Sequence, residues 1–201
     1  LPKYRRTLER RIRQWRHLHG PDKDVIFRQE KEFGRQGIMD FTWADFAITI
    51  QGEPLPHRLF NYRLPASGWS HAQVVYGGES FTAVSTGLQG AFKESGGVPR
   101  EVRTDSLSAA YKNNTSERQF TERYQALSEH YGFLPTKNNT GIAHENGAIE
   151  SANNHLKQQI RQALAIRGSY DFTSKEEYET FVADIVERRN RRILPLLIDE
   201  Q

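Results

Sequence analysis

The hydrophobic residues near the start of the chain recur every three or four positions, at Leu8, Ile12, Trp15 and Leu18. This spacing is typical of one apolar face of an α-helix, and the breakers Gly20 and Pro21 end the pattern. The first element that the sequence predicts is therefore an amphipathic helix over residues 4–19.

After residue 37 the apolar residues alternate with polar ones, which is typical of β-strands. Three strands are predicted, with turn residues between them, over residues 38–50, 57–64 and 71–76. Because short turns join antiparallel neighbours, this part of the chain is expected to form an antiparallel meander.

Helical and strand patterns then alternate. Four helices are predicted here. The first is closed by Gly96, and the second begins with a capping box formed by Ser116 and Gln119. The third follows a loop over residues 138–147, and the fourth is capped by Ser174. Two short β-like segments, 100–105 and 132–136, separate the first three helices, and Pro135 favours a sheet edge for the second. The order predicts an α/β fold with a mixed five-stranded sheet and helices on both faces.

Composition narrows the class of protein. A chain of 201 residues with 36% hydrophobic content suits one globular domain with a helical appendage. It has no apolar run of the ~18 residues that a membrane span needs, and no signal-peptide pattern. Because it starts at Leu1 and its one methionine is Met39, we expect a processed protein or a fragment of a longer one. The expected domains are a basic helix and linker (1–24), a core (25–168) and a helical extension (169–201).

Charge is unevenly distributed along the chain. Residues 1–20 contain seven Lys and Arg against one Glu, although the net charge of the whole chain is only +3. Such a basic arm is explained equally well by a polyanion partner and by a solvated helix face. A second basic cluster near the other end favours nucleic acid, and it comprises Arg188, Arg189, Arg191 and Arg192.

The absence of cysteine excludes disulfides and thiolate metal sites, and the motifs of serine hydrolases, P-loop enzymes and zinc helices are also missing. Carboxylates near strand or helix ends remain. Asp105 follows the predicted fourth strand, and Glu150 lies in the first turns of a helix. Taken alone, they are explained better as a turn or cap aspartate and as a helix-dipole glutamate.

Two further aspartates, Asp40 and Asp45, lie in an apolar stretch, where a carboxylate needs a partner. On one unbroken strand, residues five apart point to opposite faces and lie about 16 Å apart. The two are therefore not expected to share a metal site, and strand parity leaves open which of them faces inward.

Four segments together resemble the catalytic core of retroviral-integrase-like transposases. "MDFT" (39–42) resembles the first-strand aspartate motif, and "RTDSLSAA" (103–110) resembles the Thr-Asp-Asn segment, with Ser106 in place of Asn. "HENGAIESANNHLKQQI" (144–160) resembles the Asn-Gly-x-x-Glu helix, and "ASGWS" (66–70) resembles the serine-glycine turn. The resemblance spans about residues 25–190 and is greatest to IstA-type transposases of the insertion sequence 21 family.

This resemblance implies a ribonuclease-H-like fold with a DDE active site. It assigns Asp40, Asp105 and Glu150 as catalytic residues that hold two Mg²⁺ or Mn²⁺ ions. Asp45 then becomes an opposite-face residue that is structural or solvent-facing. It also implies cleavage at transposon ends and transfer of the 3′-hydroxyl into target DNA.

Further residues are expected to contact DNA beside this trio. Asn154, Lys157 and Arg161 follow Glu150 at positions that share its helix face, and Lys157 is the best placed for a phosphate. A solvated face explains Arg161 equally well. His144, expected in the loop before the helix, is assigned either to DNA or to capping.

The resemblance also implies partners and a location. We expect transposon-end and target DNA, a dimer or higher homo-oligomer, an ATP-dependent helper of the IstB type and no membrane, in the bacterial cytoplasm near the nucleoid. Two alternatives remain open. They are a ribonuclease-H-like nuclease that does not join DNA, and a non-catalytic DNA-binding or assembly module derived from such a core.

Overall fold

The computed structural model describes residues 2–19, 32–104, 121–137, 143–198 and 200. The chain divides into two compact units, Leu1–Glu30 and Lys31–Gln201. The first unit contains helix α1, Pro2–His19, which confirms the helix predicted from the apolar spacing.

The second unit contains the other described elements. In chain order they are β1 (Gln36–Trp43), β2 (Thr49–Ile50), β3 (Glu53–Pro54), β4 (Arg58–Arg63), β5 (Ser70–Val75), α2 (Phe81–Ser95), β6 (Glu101–Thr104), α3 (Glu122–Tyr131), β7 (Leu134–Lys137), α4 (Ala143–Arg167), β8 (Asp171–Phe172), α5 (Lys175–Asn190) and α6 (Leu194–Ile198). The residues predicted as a C-terminal extension, 169–201, thus belong to the same unit as the sheet.

A mixed five-stranded sheet with the strand order β5-β4-β1-β6-β7 forms the centre of this unit. Strand β1 pairs antiparallel with β4 and parallel with β6, so the prediction of a meander followed by parallel strands is confirmed. Strand β7, which contains Pro135, lies at the edge as predicted.

Alternate residues of the strands face two layers of helices. Met39, Phe41 and Phe60 pack in one core cluster with residues of α2 and α3. Leu59 and Val74 pack in the other with residues of α4 and α5. Helices therefore cover both faces, which confirms the predicted α/β fold class.

The strand predicted over residues 38–50 is not continuous. Strand β1 ends at Trp43, and β2 belongs to a second, three-stranded sheet with β3 and β8. Gln51 and Gly52, both at positive φ, form the turn between β2 and β3. Asp171 holds this turn to β8, since its Oδ1 accepts hydrogen bonds from Thr49 Oγ1 (2.5 Å) and Gly52 N (2.8 Å).

The ends of the helices confirm some cap predictions and correct others. Ser174 caps α5 as predicted, because its Oγ accepts from Glu177 N at 3.2 Å. Helix α3 is capped instead by Thr121, and the capping box predicted at Ser116 and Gln119 lies outside the described residues. Helix α4 begins at Ala143, inside the segment predicted to be a loop.

Candidate active site between the central strand and helix α4

Asp40 lies on the face of β1 that helix α4 covers. Two residues earlier on the same face, Ile38 packs against Ile149 and Ala152 of α4, and all three are buried. This small apolar cluster fixes the first half of α4 over the central strand, so that the next turn of the helix reaches Asp40.

Two asparagines connect Asp40 to the helix and to the neighbouring strand. Asn153 of α4 donates from Nδ2 to Asp40 Oδ2 at 2.8 Å. Asn61, the cross-strand neighbour of Asp40 on β4, donates from Nδ2 to Asn153 Oδ1 at 2.7 Å. Both asparagines are buried, so the carboxylate of Asp40 is held by a fixed amide chain.

The sequence-based interpretation missed both asparagines, although a signal for them exists. Asn61 interrupts the apolar run of β4, and Asn153 occupies a position on α4 between the buried residues Ala152 and Leu156. A polar residue at a core-facing position requires a hydrogen-bond partner, and here each supplies the partner of the other.

Glu150 lies one helical turn before Asn153 on α4, and its side chain is exposed. Residues three apart on a helix are neighbours on its surface, with about 5–6 Å between their Cβ atoms. The structure therefore brings Glu150 next to the residue that touches Asp40.

Asp105, the second predicted catalytic residue, lies outside the described residues. The strand before it, β6, ends at Thr104, which is paired with Met39, the residue before Asp40. Among the residues that the structure describes, no group of three His, Asp or Glu is arranged to hold a metal ion. The donor chemistry of Asp40 and Glu150 nevertheless fits Mg²⁺, which prefers carboxylate oxygens.

The predicted position of Asp45 on the face opposite Asp40 is wrong. Because β1 ends at Trp43, the alternation of faces stops there, and Asp45 turns toward the same helix as Asp40. Its Oδ2 lies 2.5 Å from Arg161 Nη2 and 3.7 Å from Lys157 Nζ, both on α4. Asp45 is thus an ion-pair partner of two residues predicted to bind DNA.

The residues predicted to bind DNA differ in their surroundings. The Lys157 side chain is 16% exposed and that of Arg161 is 43% exposed, whereas Asn154 is exposed. His144 was predicted to lie in a loop, but it lies in the first turn of α4. Three of the four predicted positions, those of Asn154, Lys157 and Arg161, therefore lie beyond Glu150 along one helix.

Strand β1 lies between an antiparallel and a parallel neighbour, and helices cover both faces of the sheet. This arrangement is a ribonuclease-H-like fold of the integrase catalytic-core type. The structure is similar to a chain of the simian T-cell lymphotropic virus intasome, solved in complex with PP2A regulatory subunit B56 gamma. The TM-score is 0.60, and the match covers 79% of this chain and 50% of that chain at 15% identity.

Two integrase catalytic cores are also similar. The match to the BIV domain has a TM-score of 0.52 and 14% identity, and covers 76% of this chain and 81% of that chain. The match to the HTLV-2 domain in complex with magnesium has a TM-score of 0.50 and 14% identity, and covers 66% of this chain and 74% of that chain.

In sequence, the chain is 51% identical over 189 residues to the uncharacterized protein y4jA/y4nE/y4sE of Sinorhizobium fredii. The match covers 92% of this chain and 38% of that protein, so the chain spans about two fifths of the length of this relative. No family model matches the chain. Within the described residues, no helix is long and apolar enough to cross a membrane.

Proposed function

We propose that this chain is the catalytic core of a DNA transposase or integrase of the IstA type. The observation that carries the proposal is the position of Asp40. It lies on the central strand of an integrase-like fold, under the helix that carries Glu150, and it is held there by Asn153. The motif order "MDFT", "RTDSLSAA" and "NGAIE" supports the same function.

In this proposal Asp40, Asp105 and Glu150 hold two Mg²⁺ or Mn²⁺ ions. When bound, such a pair supplies stabilisation of the charge that builds on the attacking and leaving oxygens of a phosphodiester. The chain itself contributes a carboxylate that is oriented before any ligand arrives, because Asn61 and Asn153 hold Asp40. Glu150 remains exposed at the surface of α4, where a phosphodiester can approach it.

The partners proposed for this core are transposon-end DNA, target DNA and further copies of the chain. An intasome and a dimeric form of an integrase core are among the similar structures, which supports a multimer of this kind. An ATP-dependent helper of the IstB type and a place near the bacterial nucleoid complete the proposal.

A strand-transfer assay tests the function. The full-length protein is incubated with Mg²⁺ or Mn²⁺, a pre-cut duplex of the terminal sequence of its own element, and a target plasmid. We expect a joined product that disappears in Asp40→Asn, Asp105→Asn and Glu150→Gln. Asp184→Asn on α5 and Glu129→Gln on α3 are matched controls at exposed positions and should retain joining.

The same assay separates the alternatives. Cleavage without joining under either metal would support the nuclease instead of the transposase. A third readout is thermal stability during titration with Mn²⁺, which should rise for the wild type and less for Asp40→Asn. The absence of both cleavage and a Mn²⁺ effect on thermal stability would indicate the non-catalytic DNA-binding module.

A further inference from the structure

Arg63 occupies a position between two helices on the sheet face that carries Asp40. It is the last residue of β4 and pairs with Ile38 on one side and with Ser70 on the other. Ile38 packs against the first half of α4. Ser70 is tied to the last residue of α5, because Asn190 Oδ1 accepts from Ser70 N (3.2 Å) and Asn190 Nδ2 donates to Ser70 O (2.6 Å).

Arg189 precedes Asn190 on α5, and like Arg63 it is half-buried. Burial lowers the pKa of Arg63. Burial, and then the nearby positive charge of Arg63, lower the pKa of Arg189. The two guanidinium groups are thus close enough to repel each other, while no carboxylate of the described residues raises the pKa of either one.

Among the described residues, this lack of a carboxylate partner distinguishes Arg63 and Arg189 from several other arginines. The pairs Arg58 with Glu79, Arg167 with Glu177 and Arg191 with Glu187 all join a guanidinium to a carboxylate. Two half-buried like charges without a counter-ion destabilise the free protein. An anion bound between them would remove that cost.

A third polar group beside Arg63 also lacks a partner. The hydroxyl oxygen of Ser70 is buried and makes no hydrogen bond to any described residue. Ser70 is the cross-strand neighbour of Arg63, so its side chain lies on the same face of the sheet. The site therefore offers two guanidinium groups and one hydroxyl donor, a set that suits a phosphate group.

We propose that Arg63, Arg189 and Ser70 bind a backbone phosphate of the DNA on which this core acts. The register places them on the sheet face that carries Asp40, since Ile38 pairs with Arg63 and Asp40 pairs with Asn61. Lys157 and Arg161, in contrast, are already paired with Asp45. That the phosphate belongs to DNA rests on the proposed function; that the site takes a phosphate rests on its own chemistry.

The test measures DNA binding without catalysis. Fluorescence anisotropy with a labelled duplex of arbitrary sequence, over a series of salt concentrations and without divalent metal, gives the affinity and its salt slope. We expect Arg63→Gln/Arg189→Gln to bind DNA about tenfold more weakly at low salt. The slope of log affinity against log salt concentration should fall in magnitude by about 1–2, since each phosphate contact contributes ~0.9. Arg63→Lys/Arg189→Lys should keep the slope but recover only part of the affinity, because lysine lacks the bidentate fork.

The matched control is Arg35→Gln/Arg100→Gln, which removes the same charge from two exposed, ion-paired arginines outside the basic cluster and should change the affinity little. The melting temperature of Arg63→Gln/Arg189→Gln should not fall, since the variant removes two charges that pair with no carboxylate of the described residues. A fall would indicate a structural role and overturn the proposal.

Equal loss of affinity in the site and control variants would show a diffuse charge effect and would also overturn it. Titration with inorganic phosphate separates the two sources of the anion. If phosphate raises the melting temperature of the wild type alone while DNA affinity is unchanged in the site variant, the site binds free phosphate and not DNA. In either case, strand transfer by the wild type decides the proposed function independently.

Discussion

The side-chain amide of Asn153 donates a hydrogen bond to Asp40 and accepts one from Asn61, at 2.8 Å and 2.7 Å. One residue of helix α4 therefore joins the central strand to its antiparallel neighbour. Because both ends of the amide are occupied, the orientation of the Asp40 carboxylate is set by the protein.

Asn153→Ala should destabilise the fold and lower activity together. The change leaves the buried amide of Asn61 without its acceptor, which costs about 1–3 kcal/mol in the free energy of unfolding. Urea denaturation measures this cost. Asn154→Ala, at the exposed neighbouring position, should change the free energy by no more than about 0.5 kcal/mol. Equal effects of the two changes would contradict the role given to Asn153.

Asp45→Asn should strengthen DNA binding. The change removes the carboxylate that neutralises Arg161 and Lys157, so that both cations are available to phosphates. Stability should change by only about 0–1 kcal/mol, because the ion pairs are partly exposed to solvent. Salt-dependent anisotropy measures the gain as a tighter complex and a steeper slope, with Asp184→Asn as the control.

If Asp45→Asn instead abolished metal-dependent cleavage while Asp40→Asn did not, the assignment of Asp40 as the metal ligand would be reversed. The two aspartates would then exchange roles.

Because of the titration of His57, the free energy of unfolding should decrease as the pH falls below about 6.5. The Nδ1 of His57 donates to Leu55 O at 2.8 Å, and in the neutral form of this buried ring Nε2 accepts from Tyr178 Oη at 2.7 Å. Burial lowers its pKa below the usual 6.5, against a smaller opposite effect of the bond to Leu55. The unfolded chain therefore binds the proton first, and stability falls as the pH drops from about 6.5 toward the folded pKa.

Denaturation between pH 5 and pH 8 measures this dependence, which is at most about 1.4 kcal/mol per pH unit for one proton. His57→Gln should flatten the slope below pH 6.5. His155→Gln, at an exposed position on α4, should leave the slope as in the wild type.

Gly87→Ala should destabilise the protein, although alanine is favoured over glycine in helices by about 1 kcal/mol. A Cβ at this position of α2 would lie 2.5 Å from two ring carbons of Phe60, which is fully buried. Overpacking of this kind costs about 1–3 kcal/mol. Urea denaturation should show that loss for Gly87→Ala and almost none for Gly97→Ala, where the space is open.

The sequence by itself determined the local elements of this protein. Apolar spacing predicted the strands of the five-stranded sheet and the helices between them, and the N-cap at Ser174 was readable from one serine and one glutamate. These signals are local, because a helix face or a strand face repeats within a few residues of itself. The resemblance of "MDFT" to a first-strand aspartate motif was likewise a local signal, since its residues are adjacent in the chain.

Tertiary structure alone decided which distant residues meet. Strand β1 ends at Trp43, β2 pairs instead with β8 more than a hundred residues later, and Asp45 between the two strands contacts α4. The chain of Asn61, Asn153 and Asp40 depends equally on packing between elements far apart in sequence. Periodicity reports the face on which a residue lies, whereas its partner on that face is set by register and packing across the whole unit.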